Sequence, residues 1–365
     1  MSHAISAKHL VLLLAAASAV MGTAHTQVSA PQTSPQSIVL PLELVSGQPA
    51  TLAVLTADGH IVAGVKLVLS NGEVVTTDES GRAHFLGPPE AGVLIARIPG
   101  TEIRAAADVA HRPTAEKLEI ATVPAMVALK ERFIVTGNGF QGDADRNQVE
   151  LDGKPAFVLA ASPKELVIVP PLKIAPGSTP LGVKAGTSEV AAEITLVDVL
   201  PNAVHDGVSP GKKTKLVLHV SGTTQPVRLD VQNMTPGIVE FKHGDREHLR
   251  TSGGADNSVT VEAKGRRAGV FSYAVTLEPK PGPANAEAAR GFLQAAEKIA
   301  AGGEKRRIDN VLKKLRRRNP DIRGARREFA KISEANSASN LQALIQAAGE
   351  ALNGESILGR ERINP

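Results

Sequence analysis

The feature that most constrains the fold of this chain is a short apolar strand that ends in a glycine-rich turn, Phe133-Ile-Val-Thr-Gly-Asn-Gly-Phe-Gln-Gly142. Successive side chains of a strand point to opposite sides, so the strand has two faces. Gly137, Asn138 and Gly139 follow it, and these residue types tolerate the positive φ of tight turns. No helical period appears before residue 284. We therefore expect a chain built mainly of strands and turns.

The same pattern of strand and turn continues downstream. Asp152-Gly153 is a strong signal for a hairpin turn between two strands. The apolar run that starts at Glu165 ends at Pro170 and Pro171, and proline stops a strand because it lacks an amide proton. Pro176-Gly177 predicts a further turn before extended chain resumes.

The glycine signature, Asn147-x-Val149, the strand that ends at Pro170 and the turn at Pro176-Gly177 together resemble the IPT/TIG domain, over about residues 120–198. The usual Pro-x-x-Gly before the signature is missing, and Val127-Ala-Leu-Lys-Glu-Arg132 stands in its place. The resemblance implies an immunoglobulin-like (Ig-like) β-sandwich. It implies no activity, because the family shares no catalytic residues. Four residues are expected to form a structural turn: Gly137, Asn138, Gly139 and Gly142.

An earlier β-domain is predicted over residues 38–110. Asn71-Gly72 is the strongest two-residue hairpin signal in the chain. The phrase Thr77-Asp-Glu-Ser-Gly-Arg-Ala-His-Phe85 follows it, with Asp78 placed to cap a turn and Gly81 to supply a positive φ. This phrase resembles the carboxypeptidase-regulatory-like and other Ig-like domains of bacterial surface proteins, which implies a second sandwich.

A third β-domain is predicted over residues 205–279, because five apolar segments recur there at near-regular spacing with turns at Gly244-Asp245 and Gly253-Gly254. The three β-domains are not copies of one another in sequence. The predicted fold class is therefore mainly β: tandem Ig-like sandwiches, followed by the α-helical module described next.

The hydrophobic period changes after the proline-rich linker Pro279-Lys-Pro-Gly-Pro283. Over residues 284–353 the apolar residues recur at helical spacing and predict four helices in a small bundle. Asn319-Pro320 predicts the start of the third helix and Ser339-x-x-Gln342 that of the fourth. Residues 354–365 are expected to be a tail.

The N-terminus predicts export. Lys8 and His9 precede an apolar run from Leu10 to Val20, which has the length of a signal-peptide core. We expect residues 1–24 to be removed and residues 25–37 to form a disordered spacer; the alternative is an uncleaved anchor. The mature chain is expected to lack a transmembrane segment and to reside in the periplasm, at the cell surface or outside the cell.

Composition and motifs argue against catalysis. Cysteine is absent, which excludes thiolate catalysis and thiolate zinc sites, and only 2% of the residues are aromatic, which disfavours carbohydrate binding by ring stacking. A Gly-x-Ser-x-Gly elbow, a phosphate-binding loop and a dinucleotide fingerprint are all missing from the sequence. We therefore expect neither an enzyme nor a bound cofactor.

The segment with the densest positive charge lies in the helical module. From residue 284 onwards there are 16 lysines and arginines and 10 acidic residues. The basic segment is a candidate for binding an anionic polymer, an anionic surface or an envelope protein, whereas nucleic acid is not expected because aromatic residues are not interleaved with the charges. The alternative is a solvated helix face. The candidate residues are Lys313, Lys314, Arg316, Arg317, Arg318, Arg323, Arg326 and Arg327.

Two groups of residues were weighed as metal ligands. Asp143, Asp145 and Asn147 alternate like the start of a calcium loop, but Gln148 and Lys154 occupy the positions where an EF-hand needs glycine and glutamate. His243 and His248 lack the spacing of a zinc-binding HExxH helix. No metal site is therefore expected, and capping of a turn is the preferred role of the aspartates.

These observations predict a non-catalytic exported protein that serves as a binding, adhesion or scaffold module of the cell envelope. One alternative is an accessory or catalytic component of an extracellular hydrolase, with a site assembled between domains. A second alternative is a stalk that presents the basic helical module to an envelope partner or an anionic surface.

Overall fold

The computed structural model describes residue 35 and residues 37–56, 59–111, 117–201, 209–269, 271–277, 284–332, 340–353 and 361–363. The expected signal peptide, nearly all of the spacer, the proline-rich linker, Ser339 of the expected capping box and most of the tail lie outside these residues. Within the described part, no helix combines the length and the hydropathy needed to cross a bilayer.

The first sandwich contains eight strands in two facing sheets. Strands β1, β3 and β6 form one sheet, and the other has the order β2-β8-β7-β4-β5. Leu52 of β3 and Leu94 of β7, both fully buried, meet in the core between them. The strands are β1 Ser37–Val39, β2 Glu43–Val45, β3 Pro49–Leu55, β4 Lys66–Leu69, β5 Val74–Thr76, β6 Arg82–Leu86, β7 Gly92–Arg97 and β8 Arg104–Ala110.

The second sandwich includes the glycine signature. Strand β13 belongs to both of its sheets, because one end pairs with β12 and the other with β14. The hairpin turn predicted at Asp152-Gly153 joins β12 to β13, and Asp152 has a φ of +51°. The strands are β9 Glu119–Thr122, β10 Met126–Ala128, β11 Phe133–Asn138, β12 Asn147–Leu151, β13 Lys154–Ala161, β14 Glu165–Val169, β15 Gly177–Ala185 and β16 Ser188–Pro201, with a 3-10 turn at Ala144–Arg146.

The third sandwich packs a sheet that contains β17, β21 and β19 against a sheet of order β20-β18-β22-β23. Phe241 and the single tyrosine, Tyr273, are buried in its core. The strands are β17 Lys213–Ser221, β18 Arg228–Asn233, β19 Val239–Phe241, β20 Arg246–Arg250, β21 Ser258–Gly265, β22 Tyr273–Leu277 and, from the C-terminal end of the chain, β23 Glu361–Ile363.

Backbone hydrogen bonds continue from one sandwich to the next. Strand β16 is 14 residues long; its first part pairs with β15 of the second sandwich and its last four residues pair with β17 of the third. At the other border, Ala161 of β13 pairs with Thr51 of β3. The three sandwiches are therefore joined through their sheets as well as through the connecting chain.

A separate apolar cluster lies between the first and second sandwiches. Ala53 and Leu55 of β3 contribute to it from one side, and Leu159 and Ala160 of β13 from the other. Strand β3 is buried on both faces, since Leu52 and its neighbours of the same face fill the core of the first sandwich. Burial of both faces couples the stability of the two sandwiches, because each sandwich covers apolar surface of the other.

The helical module has four helices, α1 Ala286–Ile299, α2 Gly302–Leu315, α3 Ile322–Phe329 and α4 Asn340–Asn353. The helices share one core, in which Phe292 of α1, Leu312 of α2, Ala325 of α3 and Leu352 of α4 are buried. Asp321 caps α3 by accepting a hydrogen bond from the amide of Gly324 at 2.9 Å. The predicted start at Asn319-Pro320 is therefore two residues early.

The helical module packs on the first sandwich, although it follows the third in the chain. Leu42, Val93 and Ile95 lie against the helical core, and Ala106 is part of it. Val93 and Ile95 are on the face of β7 opposite to Leu94, so β7 is apolar on both faces. A strand with two apolar faces indicates cover on both sides. The order of the modules in the sequence does not predict this arrangement.

The predicted fold class is confirmed: the chain is mainly β, with Ig-like sandwiches in tandem and α-helices at its C-terminal end. The IPT/TIG and carboxypeptidase-regulatory-like assignments of single domains stay predictions.

We expect Leu159→Ala to lower the free energy of unfolding by about 2–5 kcal/mol, because it leaves a cavity in the cluster between the first two sandwiches. The matched control is Leu172→Ala, since Leu172 is fully exposed at 103%, and this substitution should change stability by less than about 0.5 kcal/mol. Urea unfolding of both variants checks the expectation. Equal stability of the two variants would contradict a packed interface at Leu159.

Candidate functional site

The glycine signature holds the second sandwich against its neighbours. Gly139 has a φ of +73°, and a Cβ there would lie 2.8 Å from the backbone nitrogen of Leu118. A Cβ on Gly142 would lie 1.7 Å from the carbonyl oxygen of Pro49 in the first sandwich, and one on Gly137 would lie 2.0 Å from the carbonyl oxygen of Glu119. The Asn138 side chain accepts a hydrogen bond from Nζ of Lys164 at 2.6 Å. The three glycines of the signature thus allow neighbouring backbone segments to pack closely.

The loop that follows the signature contacts the first sandwich through Arg82. The side chain of Arg82 is 7% exposed; its Nη2 lies 2.7 Å from Oδ1 of Asp145, and its Nη1 donates to the carbonyl oxygen of Val158 at 3.1 Å. Its guanidinium also lies 4.9 Å from the ring centre of Phe157. Arg82 therefore binds the second sandwich through an ion pair, a hydrogen bond and a cation–π contact.

His84 lies beside Asp143 and Asp145, and these three side chains are close enough to share a small cation. The hydroxyl of Thr51 donates its single proton to the carbonyl oxygen of Gly142 at 2.7 Å, so it accepts from Nδ1 of His84 at 3.1 Å. Nδ1 of His84 therefore carries a proton and is committed to Thr51.

The remaining contacts of these aspartates are those of a capped turn. Asp143 accepts from the amide of Asp145 at 3.0 Å and lies 3.5 Å from Nε of Arg146. Asn147 uses both ends of its amide within the same loop, on the backbone of Gln141 and Asp143. With Arg82 and Arg146 already supplying positive charge, this arrangement supports the capping role over a cation site.

The histidines of the third sandwich contact two different carboxylates. Nδ1 of His243 lies 3.5 Å from Oε1 of Glu247, whereas Nδ1 of His248 lies 3.8 Å from Oδ1 of Asp230. Asp230 also forms a two-pronged ion pair with Arg246. The two histidines are therefore not brought together as ligands of one metal.

The basic segment lies at the end of α2, in the following turn and on α3. Leu315, which the helical pattern places in the core, is 1% exposed. Three cations of the segment are held by ion pairs: Lys313 with Asp309 at 2.8 Å, Lys314 with Asp321 at 3.7 Å, and Arg316 with Glu297 at 3.4 Å. Nε of Arg326 donates to the carbonyl oxygen of Leu352 at 2.8 Å. These four side chains are therefore engaged within the module.

The other four members of the segment are exposed and form no ion pair with any residue that the structure describes: Arg317, Arg318, Arg323 and Arg327. Arg323 and Arg327 are four residues apart on α3 and share a face. The hydrogen bond from Gly324, assisted by the charges of Lys314, Arg317 and Arg327, lowers the pKa of Asp321. Arg317 and Arg327 therefore lie near the same carboxylate, and we call these four residues the arginine surface.

Two carboxyl groups, one buried and one half-buried, lie where the two sandwiches meet the helical module. Glu165 is 3% exposed and accepts the amide proton of Leu42, at 3.2 Å to Oε1 and 3.1 Å to Oε2. Burial, reinforced by the charges of Glu43 and Glu350, raises the pKa of Glu165 to about 8, because it outweighs the lowering effect of the hydrogen bonds from the backbone of Leu42 and Glu43. Burial, with the charges of Glu43 and Glu287, raises the pKa of Asp108 to about 7.

Sequence reasoning missed these carboxyl groups, although each leaves a signal. Asp108 is the single charge in the run Ala105-Ala-Ala-Asp-Val-Ala110, and Glu165 opens the apolar strand β14. A lone carboxyl group within an apolar strand points to a buried polar contact. Its partners come from distant parts of the chain, so the pattern could not have named them.

Comparisons with known proteins gave no family. No family model matches the chain, and no curated protein matches it. Among solved structures, SGBP-B of the mixed-linkage glucan utilization locus of Bacteroides ovatus, in complex with a mixed-linkage heptasaccharide, is 10% identical, with a TM-score of 0.23 and coverage of 64% of this chain and 71% of that chain. The titin I9–I11 tandem is 11% identical, with a TM-score of 0.19 and coverage of 67% and 92%.

A further match is the fragment of Dscam1 with four N-terminal Ig domains, which is 10% identical, with a TM-score of 0.22 and coverage of 66% and 69%. All three matches have low identities and TM-scores below 0.5. They carry no argument about function, which is inferred below from the residues of this chain.

We expect Gly139→Ala to destabilise the protein by about 1–2 kcal/mol through backbone strain alone, with a further loss because the new Cβ would press on the backbone of Leu118. The matched control is Gly186→Ala, at a φ of +61° with open space around the Cβ. It should cost only the strain of the left-handed region, about 1–2 kcal/mol. Chemical denaturation compares the two, and an equal loss in both variants would show that the contact at Gly139 is unimportant.

Proposed function

We propose that this chain is a non-catalytic, exported binding and scaffold protein of the cell envelope, in which the arginine surface of the helical module binds an anionic partner. The partner we favour is a surface of anionic phospholipid head groups. One observation carries the proposal: four guanidinium groups within residues 317–327 are exposed, whereas their basic neighbours are engaged within the module.

The chemistry of these side chains supports an oxyanion partner. Arginine stays charged at any physiological pH and presents a planar fork of donors that matches phosphate and carboxylate groups. Exposed arginines that form no ion pair with the described residues keep their donors available to a ligand. The attraction should be long-ranged at low salt and weak at high salt, because mobile ions screen exposed charges.

The rest of the molecule supplies a rigid support for this surface. The helical module packs on the first sandwich, and the sandwiches are joined by continuous sheets. Such joints favour a scaffold that keeps its binding surface at a defined place. The sandwiches would then serve as a stalk that presents the helical module.

The hydrolase alternative would rest on Asp108 and Glu165, since a carboxyl group with a raised pKa is a property of general acids. Their surroundings favour a structural role. Glu165 is engaged by the Leu42 amide, and α1 passes over Asp108 at Gly291, where a Cβ would lie 2.7 Å from Oδ1 of Asp108. A substrate would have to displace the helix, so we favour the binding module.

Replacement of Arg317, Arg318, Arg323 and Arg327 by glutamine should abolish co-sedimentation of the protein with vesicles that contain anionic phospholipid. The parent should bind at low salt and dissociate at about 1 M salt, where the Debye length is about 3 Å. Stability should change little, because exposed charges contribute less than about 1 kcal/mol each. Vesicles of neutral lipid should bind neither protein.

The matched control removes the same charge from the sandwiches, where Lys66, Lys117, Lys184 and Lys213 are exposed. Their replacement by glutamine should leave binding intact, which separates a local surface from an effect of net charge. Equal sedimentation of the parent and the arginine variant at low salt would reject the proposal and favour a face that serves only solubility.

A further inference from the structure

The contact between the helical module and the first sandwich is built around acidic side chains. Glu43 on β2 and Asp108 on β8 are directly paired in the parallel register of these strands. The side-chain amide of Asn285, the N-cap of α1, donates to Oε2 of Glu43 at 2.9 Å. The carbonyl oxygen of Leu42 accepts a hydrogen bond from the amide of Asp108, and the amide of Leu42 donates one to the Glu165 side chain. We call Glu43, Asp108 and Glu165 the carboxyl junction.

Glu165 brings the second sandwich into this junction. Its carboxyl group lies against the backbone at Leu42, 123 residues earlier in the chain. The hydroxyl of Ser162 in the same sandwich donates to the carbonyl oxygen of Glu43 at 2.6 Å. Both contacts hold the short segment that contains Leu42 and Glu43, on which α1 also rests. A change in the charge of Glu165 therefore acts on the support of the helical module.

Asp108 faces the helical module directly. The close approach of its Oδ1 to Gly291 leaves no room for a side chain on that residue of α1. Ala106, two residues earlier on the same face of β8, lies within the helical core, and Val93 of β7 is the cross-strand partner of Asp108. An ionised Asp108 would thus carry its charge in an apolar contact, which costs free energy.

The charged groups that surround the junction are mostly acidic. Besides its own members, α1 contributes Glu287 and Arg290, which lie 3.7 Å apart; α4 contributes Glu350; and the second sandwich contributes Lys164, whose Nζ donates to Asn138. Repulsion from Glu43 and Glu287 acts on Asp108, and repulsion from Glu43 and Glu350 acts on Glu165. Loss of protons from the junction therefore adds like charges to an acidic surrounding.

We propose that the helical module docks on the sandwiches in a pH-dependent manner, held when Asp108 and Glu165 are protonated and loosened when both are ionised. This device is independent of the proposed function, since it rests on packing inside the molecule and not on the arginine surface. It places the position of the helices under the control of the surrounding pH.

The direction of the pH dependence of stability follows from the pKa values of Asp108 and Glu165. Both carboxyl groups have a higher pKa in the folded protein, about 7 for Asp108 and about 8 for Glu165, than the value near 4 of an unfolded chain. The folded state then binds more protons than the unfolded state, so stability falls as the pH rises. The stabilising contribution is complete below about pH 4 and is lost as the pH passes 7 for Asp108 and 8 for Glu165.

Hydrogen exchange of the full chain tests this inference. We would measure exchange of amides in α1, divide each rate by the rate of an unstructured peptide of the same sequence at the same pH, and follow this ratio from about pH 5 to about pH 9. The ratio cancels the chemical effect of pH on exchange. In the parent, this ratio should be at least about tenfold higher at the high end of the range than at the low end. In Asp108→Asn, which keeps the shape without the charge, the rise should shrink markedly.

The control is Glu90→Gln, an exposed carboxylate of the first sandwich, which should behave like the parent. A parent ratio that stays flat across this range would overturn the proposal, and so would an Asp108→Asn variant that keeps the full rise. If Asp108→Asn fails to fold, the titration midpoint of Asp108 in the parent is measured instead, from the carbon NMR shift of its carboxyl group. A titration midpoint near 7 supports the device, and a midpoint near the ordinary value of about 4 excludes it.

Discussion

Backbone pairing across the borders between domains is the constraint on which the rest of this structure depends. Strand β16 pairs with β15 in one sandwich and with β17 in the next, and β3 meets β13 at Thr51 and Ala161. A strand that is shared by the sheets of two domains restricts their rotation, because rotation would break its backbone hydrogen bonds. The apolar cluster around Leu55 and Leu159 adds to this restraint.

Polar contacts then fix the details of these borders. Arg82 spans from the first sandwich to Asp145, Val158 and Phe157 of the second, and Glu165 of the second sandwich holds the amide of Leu42 in the first. Each is a charged or ionisable group removed from water, so each would be costly without its partner. Their placement at borders makes the relative arrangement of the sandwiches specific as well as stable.

Charges of opposite sign belong to different parts of the helical module. Carboxyl groups gather where α1 and α4 rest on the sandwiches, whereas the arginine surface lies on α3 and in the turn before it. Burial raises the pKa of the first group, and exposure leaves the second free to meet a ligand. The same module thus combines the contact that we propose to respond to pH with the surface that we propose to bind an anionic partner.

Local patterns in the sequence were sufficient for the fold class and many turns. Alternating apolar residues, Asp152-Gly153 and the change of period after residue 284 act over a few neighbouring residues, and the structure has the expected strands, hairpin and helices there. The site was only partly predictable. All eight cations of the basic segment were named, but which four are exposed without ion pairs depends on Asp309, Asp321, Glu297 and the end of α4. The return of the helices to the first sandwich and the meeting of Glu43, Asp108 and Glu165 were decided by tertiary structure alone, because these contacts join segments more than 50 residues apart whose pairing no local period records.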